Sequence, residues 1–377
     1  MHIFILIPLR YPTEKAYGTN IAYTAEAFAS LEENVTIISN GISTTDQLNN
    51  KIIGTENWLT KRIKLFEATK SNSLRKIAFY SSQTLFSFYA SRIIRPIKDD
   101  KIVVTRSPIV AFLSCILAKK ATIILELHHL PSRFEILLTN SSNKKIQTCV
   151  TNNYFQDELR AANWKSKVSV IPNSAPDIFH ALGSTSREFK SPLIIGFAGK
   201  ASSSGNDNGL KIAARLMIKY PEMAEKVRFT FIGCEESFVT EINETMREKK
   251  LPKGSINFIE HLSHDRLIDE IKKFDLALLP YPESPYYDRS FPIKVIEMAA
   301  AGVPMLASNT KAHRRLLGLD NQLLFQPGSE LSLKQVINFL LENPKILKEE
   351  RIRLLSWSSK HTYRNKVKKI LEMRPVI

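Results

Sequence analysis

The chain has 377 residues, of which 53 are Lys or Arg and 37 are Asp or Glu, so its formal net charge is +16 at pH 7. This length suffices for two α/β domains and excludes a single small module. Hydrophobic residues make up 44% of the sequence, and no low-complexity tract is long enough to indicate disorder, so each half can bury a sizeable core.

The cysteines and the apolar segments indicate a protein of the reducing cytoplasm. Cys115, Cys149 and Cys234 lie singly, without the spacing of a disulfide framework or a zinc site. Residues 1–8 are apolar but lack a basic region and a cleavage site, which predicts a buried first strand. Residues 108–118 form the longest apolar stretch, and at about half of the ~20 residues that span a bilayer they predict a core helix.

Short apolar runs alternate with segments of helical period along almost the whole chain, which is the pattern of βαβ units and parallel sheets. In the first half, strands are predicted near residues 2–8, 34–40, 101–105, 121–126, 146–151 and 167–171. Helices are predicted near residues 18–32, 73–96, 108–118, 132–141 and 153–162.

Residues 181–192 have no periodicity and are rich in Ser, Thr, Gly and Pro, which predicts an interdomain linker. Two doubly wound domains of similar size imply a cleft, with ligands bound outside the carboxyl ends of the strands. Strands of the second domain are predicted near residues 193–199, 226–232, 255–260, 275–281, 303–308 and 321–325, and helical segments follow from 331 to 373.

A short helix is predicted after the strand at 275–281. Pro292 suits its first turn, and Gly302 suits a left-handed exit into the next strand. The helix N-terminus offers unpaired N–H groups and partial positive charge, which suit a phosphate. The dipole disfavours Lys294 there by roughly 0.3–1 kcal/mol, and a nearby anion would explain its presence. Glu297 shares a helix face with Lys294 and could accept hydrogen bonds from ribose hydroxyls. The alternative is that Lys294 and Glu297 form an ordinary ion pair on the protein surface.

The run Ser290-x-Pro292-x-Lys294-x-x-Glu297, followed by Gly302 and Pro304, resembles the donor-binding segment of family 4 glycosyltransferases, the glycosyl transferases group 1. Many of these enzymes use sugar nucleotides to build surface polysaccharides. The resemblance implies the GT-B fold, in which two Rossmann-like, doubly wound parallel-sheet domains face each other across a cleft.

In this family, the carboxylate that matches Glu297 holds the nucleotide ribose, and Pro292, Ile293 and Lys294 match its donor-binding segment. Many members also carry a glutamate that touches the sugar. Arg289 stands at that position here, so the contacts to the donor sugar stay open.

A loop of small residues, 200–209, follows the first strand of the second domain. Such a loop could let backbone N–H groups approach a phosphate. A loop without a binding role is the alternative. Gly199 and Lys200 match the family pair whose cation binds the donor diphosphate. Asn208, however, stands where a second basic residue usually precedes the glycine that matches Gly209.

Two further segments match the family. Residues 170–174 resemble its step before the interdomain linker, and Ser356-Trp357 with the basic helix after it resembles the segment that crosses back to the first domain. The predicted domains are therefore 1–180 and 193–356, with residues 357–377 as the returning helix.

The first half holds the candidates for acceptor binding. Gly18 and Thr19 lie at the N-terminus of a predicted helix. In the family, the matching glycine loop faces the donor phosphates and the acceptor. A simple helix cap is the alternative. Arg106 lies at a strand end, in a segment that resembles the family's R-S-P. It is a candidate ligand of the acceptor or of a phosphate. A structural arginine at the edge of the sheet would give the same pattern.

His128 and His129 follow a strand that ends at Glu126, and they could titrate near neutral pH, bind a metal or contact a sugar. Adjacent residues of an extended chain point to opposite faces, which disfavours joint metal ligation. The pair resembles the E-x-H-D loop of the family, with His129 in place of the Asp. We predict that His128 contacts the sugar or the transition state, with a structural role for both histidines as the alternative.

Residues 60–101 carry ten Lys or Arg against three Asp or Glu, interleaved with aromatic residues, and residues 345–374 show a similar excess. A helix there would dock on an anionic membrane surface or contact a lipid-linked acceptor. A solvated basic face and nucleic-acid binding are the alternatives. Nucleic acid is the least favoured partner because no recognised module is present and the aromatic residues follow helical apolar spacing.

The sequence and the resemblance therefore predict a cytoplasmic glycosyltransferase of the hexosyltransferase type. It would move a sugar from a nucleotide-diphosphate sugar to a glycan or lipid-linked acceptor in surface polysaccharide or glycoconjugate biosynthesis, and peripheral contact with the inner face of the plasma membrane is the accompanying expectation. The resemblance implies retention at the anomeric carbon. No D-x-D motif occurs, so no metal or other cofactor is expected, and basic side chains with a helix dipole would hold the diphosphate. A nucleotide-sugar epimerase and a catalytically weak scaffold subunit of a membrane assembly are the alternatives.

We assign the expected site residues as follows. The catalytic residues are His128, Lys200 and Glu297, the donor-binding residues are Gly18, Gly199, Lys200, Pro292, Ile293, Lys294 and Glu297, and the acceptor-side residues are Thr19, Arg106, His128 and His129.

Overall fold

The protein was analysed as a computed structural model. It describes residues 1–9, 11, 13, 16–40, 45–47, 50–54, 72–142, 144–182, 188–189, 191–203, 206–289, 292–318 and 321–374. The chain divides into two compact units: an N-terminal unit, Met1–Pro172 with Tyr363–Ile377, and a C-terminal unit, Asn173–Thr362.

The N-terminal unit is an α/β unit around one sheet. Its strands are β1 (His2–Ile7), β2 (Asn34–Ser39), β3 (Thr45–Gln47), β4 (Asn50–Gly54), β5 (Lys101–Thr105), β6 (Ala121–Leu127), β7 (Ile146–Val150) and β8 (Val168–Val170). Its helices are α1 (Ala16–Ala29), α2 (Asn72–Ile94), α3 (Pro108–Leu117), α4 (Arg133–Ser141) and α5 (Asn153–Ala161), together with a helix at the chain's end, Tyr363–Glu372.

The sheet has the order β3-β4-β2-β1-β5-β6-β7-β8 and is parallel except for the β3–β4 pair. Its central strands β1, β5 and β6 are covered on both faces, which explains why they are almost continuously apolar. In β1, Ile3 and Ile5 pack with α1 and the helix Tyr363–Glu372, whereas Phe4 and Leu6 pack with α2 and α3.

The C-terminal unit has the same plan. Its strands are β9 (Leu193–Ala198), β10 (Ser202–Ser203), β11 (Asn206–Asp207), β12 (Val227–Ile232), β13 (Ile256–Ile259), β14 (Leu276–Leu279), β15 (Met305–Ser308) and β16 (Leu324–Phe325). Its helices are α6 (Asp177–Leu182), α7 (Lys211–Lys219), α8 (Glu236–Glu248), α9 (His264–Ile271), α10 (Pro285–Arg289), α11 (Ile293–Ala300), α12 (Lys311–Leu317), α13 (Glu330–Glu342) and α14 (Pro344–Ser358), and the helix Tyr363–Glu372 is therefore α15.

The six-stranded sheet of this unit is parallel, in the order β13-β12-β9-β14-β15-β16. Numbered within the unit, this is the 3-2-1-4-5-6 order of a doubly wound fold, and the order reverses beside β9. The loop that follows β9 therefore lies at the position where such folds bind ligands.

The predicted alternation of strands and helices is confirmed, but two pairs of short strands were not predicted. The pairs β3–β4 and β10–β11 are too short and too polar to give a periodic signal. Of the predicted linker, residues 183–187 and 190 lie outside the described residues, and the domain boundary there stays a prediction. Residues 177–182 form α6, which packs against α11 within the C-terminal unit.

We expect Gly209→Ala to destabilise the C-terminal unit more than Gly254→Ala. Both glycines have a left-handed φ, +79° and +84°, so both substitutions carry similar backbone strain. A Cβ at Gly209 would lie 2.1 Å from the carbonyl oxygen of Pro280, whereas a Cβ at Gly254 would meet nothing within 4 Å. Urea unfolding should show an extra loss of about 1–3 kcal/mol for Gly209→Ala, and equal losses would contradict this packing.

Candidate active site

Lys294, in the first turn of α11, lies against the carboxyl end of β9. A Cβ at Gly199 would be 1.5 Å from the Lys294 ammonium nitrogen, and Gly199 has φ +137°, which residues with a side chain rarely adopt. The backbone conformation requires glycine at this position, and a side chain there would also displace the end of Lys294. Two residues that the sequence assigns to the donor site are brought together.

The ammonium group of Lys294 lies in a poorly solvated place. Its Nζ is 5.4 Å from the centroid of the Phe197 ring, a cation–π distance. Burial lowers the pKa of Lys294, and the negative charges of Glu297 and Glu235 act in the opposite direction. Glu297 is 5% exposed, so the two residues are not a solvated surface pair. An anionic ligand beside Lys294 would stabilise its charged form further.

Glu235 caps the loop that follows β9. Its carboxylate accepts the backbone N–H of Ala201 at 2.7 Å, and the backbone N–H and hydroxyl of Ser202 at 3.3 and 3.0 Å. Burial opposes ionisation of Glu235, but these hydrogen bonds hold its pKa below the usual value. The sequence suggested that backbone N–H groups of this loop bind a phosphate. The N–H groups of Ala201 and Ser202 instead donate hydrogen bonds to the carboxylate of Glu235.

Asn208 holds the far end of the same loop. It is 6% exposed, its amide donates to the carbonyl oxygen of Lys200 at 2.7 Å, and its side-chain oxygen accepts from the hydroxyl of Tyr287 at 2.7 Å. The Tyr287 ring stacks on Tyr281 with centroids 4.8 Å apart. Asn208 therefore fixes the backbone of Lys200 in the place where the family usually has a second cation.

The other donor-side candidates surround this point. Lys200 is exposed, Pro292 precedes the first residue of α11, and Ile293 begins the helix. Gly302 has φ +69°, which confirms its predicted left-handed exit. Ser290 and the side chain of Arg289 lie outside the described residues.

In the N-terminal unit, a buried carboxylate ends β6. Glu126 is 6% exposed, and its two oxygens lie 3.1 Å from Nε of Arg106 and 2.7 Å from Nζ of Lys366. The side-chain oxygen of Asn20 accepts from the same two cations, at 2.5 and 3.1 Å. Burial would raise the pKa of Glu126, but Arg106 and Lys366 hold it well below the usual range.

His128 lies next to this cluster, with Nε2 3.2 Å from the second carboxylate oxygen of Glu126 but outside the alignment of a hydrogen bond. Burial, and then the charge of Arg106, lower the pKa of His128 to about 4 although Glu126 opposes them. The ring is therefore neutral at pH 7 and can both donate and accept a hydrogen bond. His129 is exposed.

A cavity of about 260 Å³ lies over the carboxyl ends of β1 and β5. Its wall is mostly apolar and includes Ile5, Leu9, Tyr17, Ile21, Phe79 and Pro108. Its polar end contains Arg106, Glu126, His128 and His129. Three of the predicted acceptor-side residues thus line one cavity of the N-terminal unit.

Gly18 and Thr19 lie within the first turn of α1, which begins two residues earlier than predicted, at Ala16. A Cβ at Gly18 would lie 2.3 Å from the carbonyl oxygen of Thr13, so glycine is required there for packing. Neither residue lines the cavity, although their neighbours Tyr17 and Ile21 do. Their predicted roles stay predictions.

The sequence analysis did not select Asn20, Glu235 or Lys366. A local signal existed for Glu235, which lies three residues after the end of β12. For Lys366, the apolar spacing of Tyr363, Val367 and Ile370 indicates a buried helix face that includes position 366. Nothing local indicates its partner Asn20, which is 346 residues away.

Within the part of the chain that the structure describes, no group of three or more His, Cys, Asp or Glu side chains is placed to hold a metal ion. No described helix combines the length and apolar character needed to cross a membrane.

Several solved protein structures are similar to this structure over almost the whole chain. The structure of a glycosyltransferase from Rickettsia africae superposes with a TM-score of 0.73 at 16% identity and covers 99% of this chain and 97% of that chain. Sucrose-phosphate synthase of Thermosynechococcus elongatus gives 0.66 at 14% identity, covering 99% and 98%. HepE of Anabaena, solved with UDP and glucose, gives 0.67 at 13% identity, covering 98% and 99%. No curated protein sequence matches.

These superpositions over the whole chain show the GT-B fold. Residues 192–343 match the family model described as Glycosyl transferases group 1. The chain therefore has the GT-B fold, and residues 192–343 of its C-terminal unit are similar to the Glycosyl transferases group 1 domain.

We expect the N-terminal unit to lose stability as the pH falls from 6.5 towards 4. The pKa of His128 is lowered from 6.5 to about 4, so the unfolded chain binds more protons than the folded one in this window. By pH 5 the contribution of His128 amounts to a loss of about 2 kcal/mol. His128→Gln should remove this part of the acid sensitivity.

Urea unfolding at pH 7 and pH 5 tests this expectation, with His129→Gln as the matched control. An equal acid sensitivity of His128→Gln and the wild type would show that His128 is not held neutral by the fold.

Proposed function

We propose that the chain transfers a hexose from a nucleotide-diphosphate sugar, bound by the C-terminal unit, to a glycan or lipid-linked acceptor, bound by the N-terminal unit. The observation that carries the proposal is the contact of Lys294 with Gly199 at the carboxyl end of β9, beside the exposed Lys200. Lys294 in the first turn of α11 lies there, and Lys200 is the next residue after Gly199, so two cations and a helix N-terminus are available to a diphosphate. The complex of HepE with UDP and glucose supports a donor of this class.

The donor-side residues would divide the nucleotide between them. Lys200 and Lys294 would bind the diphosphate, with Gly199 allowing its close approach, and Pro292 and Ile293 would present the N-terminus of α11. Glu297 would accept hydrogen bonds from the ribose hydroxyls. Charge on the leaving diphosphate would be stabilised by these groups without a metal ion.

We infer a reaction with retention at the anomeric carbon. The bond between that carbon and the diphosphate oxygen breaks, and the acceptor oxygen forms its bond on the same face. The departing phosphate takes the proton of the acceptor hydroxyl. The neutral His128 would hydrogen-bond to the transferred sugar, with Arg106, His129 and Thr19 on the acceptor side and Gly18 towards the donor phosphates.

We expect Lys200→Ala and Glu297→Ala each to weaken nucleotide binding without unfolding the protein. A thermal-shift screen of UDP, GDP, CDP, ADP and their sugar conjugates measures this, since a ligand at 100 times its dissociation constant adds about 2.7 kcal/mol of stability. Lys249→Ala, at an exposed position in the same unit, is the control. Unchanged affinity in both variants would refute the donor site.

Two outcomes would favour the competing hypotheses. Sugar inversion or isomerisation of the donor without an acceptor would indicate an epimerase. The absence of any nucleotide shift in the wild type would indicate a scaffold subunit.

The exposed side chains of the N-terminal unit favour peripheral contact with an anionic membrane. Such contact would suit an enzyme that builds polysaccharide at the cytoplasmic face of the plasma membrane. Ile77 and Phe88 on α2 are 62% and 50% exposed, and Leu137 on α4 is 69% exposed. The rings of Tyr80 and Phe134 join the two helices, with centroids 5.4 Å apart. Apolar side chains among basic ones suit an anionic leaflet, to which each Lys or Arg adds about 1 kcal/mol.

We expect the chain to sediment with phosphatidylglycerol vesicles but not with phosphatidylcholine vesicles. The double variant Phe88→Ser and Leu137→Ser should lose most of this binding. Leu331→Ser, which replaces an apolar residue that is 49% exposed on α13, should retain it. Equal binding by all three proteins would place the membrane contact elsewhere.

A further inference from the structure

Lys366 lies on α15 and reaches the carboxylate of Glu126 from outside the N-terminal cavity. It is 3% exposed, and its Nζ is 2.7 Å from Oε1 of Glu126. The side-chain oxygens of Asn20 and Thr24, on α1, accept hydrogen bonds from the same ammonium at 3.1 and 3.5 Å. Lysine is almost never buried this far unless it is paired. Lys366 does not line the cavity, so its effect on a substrate bound there passes through Glu126.

His128 and Lys366 share one oxygen of Glu126. Nε2 of His128 is 3.2 Å from Oε1, the atom that contacts Lys366. This nitrogen is buried and has no hydrogen-bond partner among the described residues. A carboxylate oxygen beside a histidine ordinarily favours the charged form of the ring. Here the ammonium of Lys366 lies closer to that oxygen than the ring does, so the oxygen that would hold a proton on His128 is already occupied.

Arg106 acts on His128 in the same direction, but from the other side of the carboxylate. Its Nε is 3.1 Å from Oε2 of Glu126, the oxygen that Lys366 does not contact. Burial and Arg106 are the larger causes of the low pKa of His128, and Lys366 adds to them. A charge within about 4–6 Å typically moves a pKa by about 1–3, and the nitrogens of Lys366 and His128 contact one common oxygen.

The other titratable groups near His128 do not take the place of Lys366. Glu135, on α4, lines the cavity, but its carboxylate accepts the N–H and hydroxyl of Ser132 in a helix cap. Cys149, opposite Glu126 in β7, is a neutral thiol because burial raises its pKa. His129 is exposed. Within the described chain, Lys366 is thus the cation that contacts the Glu126 oxygen facing the ring.

We propose that Lys366 is a positioning residue for His128: by occupying the Glu126 oxygen that faces the ring, it keeps the ring uncharged where the sugar binds. A neutral ring retains one nitrogen as an acceptor for a sugar hydroxyl, whereas a protonated ring has donors only. This inference rests on the proposed function, because it concerns the state in which His128 meets the sugar. Helix α15 thereby contributes to the acceptor side without lining the cavity.

Nuclear magnetic resonance of the full chain with ¹³C-labelled histidine measures the titration of His128, and His128→Gln identifies its signal. In the wild type we expect a midpoint at about 4. Lys366→Met, which removes the ammonium, should raise this midpoint by about one pH unit or more. Lys366→Arg, which keeps the positive charge, should leave it near the wild-type value. Lys369→Met, at an exposed position of the same helix, is the control and should have no effect.

Two results would overturn the inference. One is an unchanged midpoint in Lys366→Met. The other is an equal rise in Lys366→Met and Lys366→Arg, because packing rather than charge would then set the state of the ring. Circular dichroism checks the folding of each variant. If Lys366→Met does not fold, Lys366→Gln, which removes the charge but keeps a hydrogen-bond donor, provides the test with the same expected rise.

The titration needs neither nucleotide nor acceptor, which separates it from the test of the proposed function. A raised midpoint in Lys366→Met, with no nucleotide binding by the wild type, would support the role of Lys366 and refute the donor site. An unchanged midpoint, with nucleotide binding by the wild type, would refute the role of Lys366 and leave the donor site standing.

Discussion

A buried charge lies at the carboxyl edge of each parallel sheet, and the surrounding residues are arranged to compensate it. In the N-terminal unit it is the carboxylate of Glu126, held between Arg106 and Lys366. In the C-terminal unit it is the ammonium of Lys294, which burial disfavours and Glu297 and Glu235 support. Removing one partner of a buried ion pair typically lowers the free energy of unfolding by about 3–5 kcal/mol. Each of these buried charges therefore depends on the oppositely charged groups around it.

The two buried charges differ in their surroundings. Around Lys294, the loop is already fixed by Glu235 and Asn208, so the proposed diphosphate site would need no rearrangement of the backbone to receive its ligand. Preorganised charges of this kind lower the cost of binding and of the charge that develops on a leaving group. Around Glu126, Arg106 and Lys366 compensate the carboxylate, and Arg106, Glu126 and the neutral His128 line the polar end of a mostly apolar cavity.

Features that depend on neighbours along the chain could be predicted from the sequence. The alternation of Ile3, Phe4 and Ile5 belongs to a strand covered on both faces, and Gly302 ends its helix as expected. Contacts between distant segments could not be predicted. Lys366 meets Asn20 only because α15 packs on α1, and neither residue carries a local sign of the other. The capping of the 199–203 loop by Glu235 is also a product of tertiary structure, since the same small residues suit a loop that is open to a phosphate.

A crystal structure of the full chain with the nucleoside diphosphate that stabilises it most would test the donor assignment directly. We expect the diphosphate to lie against Lys200, Lys294 and the N-terminus of α11, with the ribose hydroxyls on Glu297 and with Glu235 still bonded to the loop. A nucleotide bound elsewhere, with Lys294 unchanged beside Gly199 and no contact to Glu297, would contradict the assignment of the C-terminal unit as the donor site.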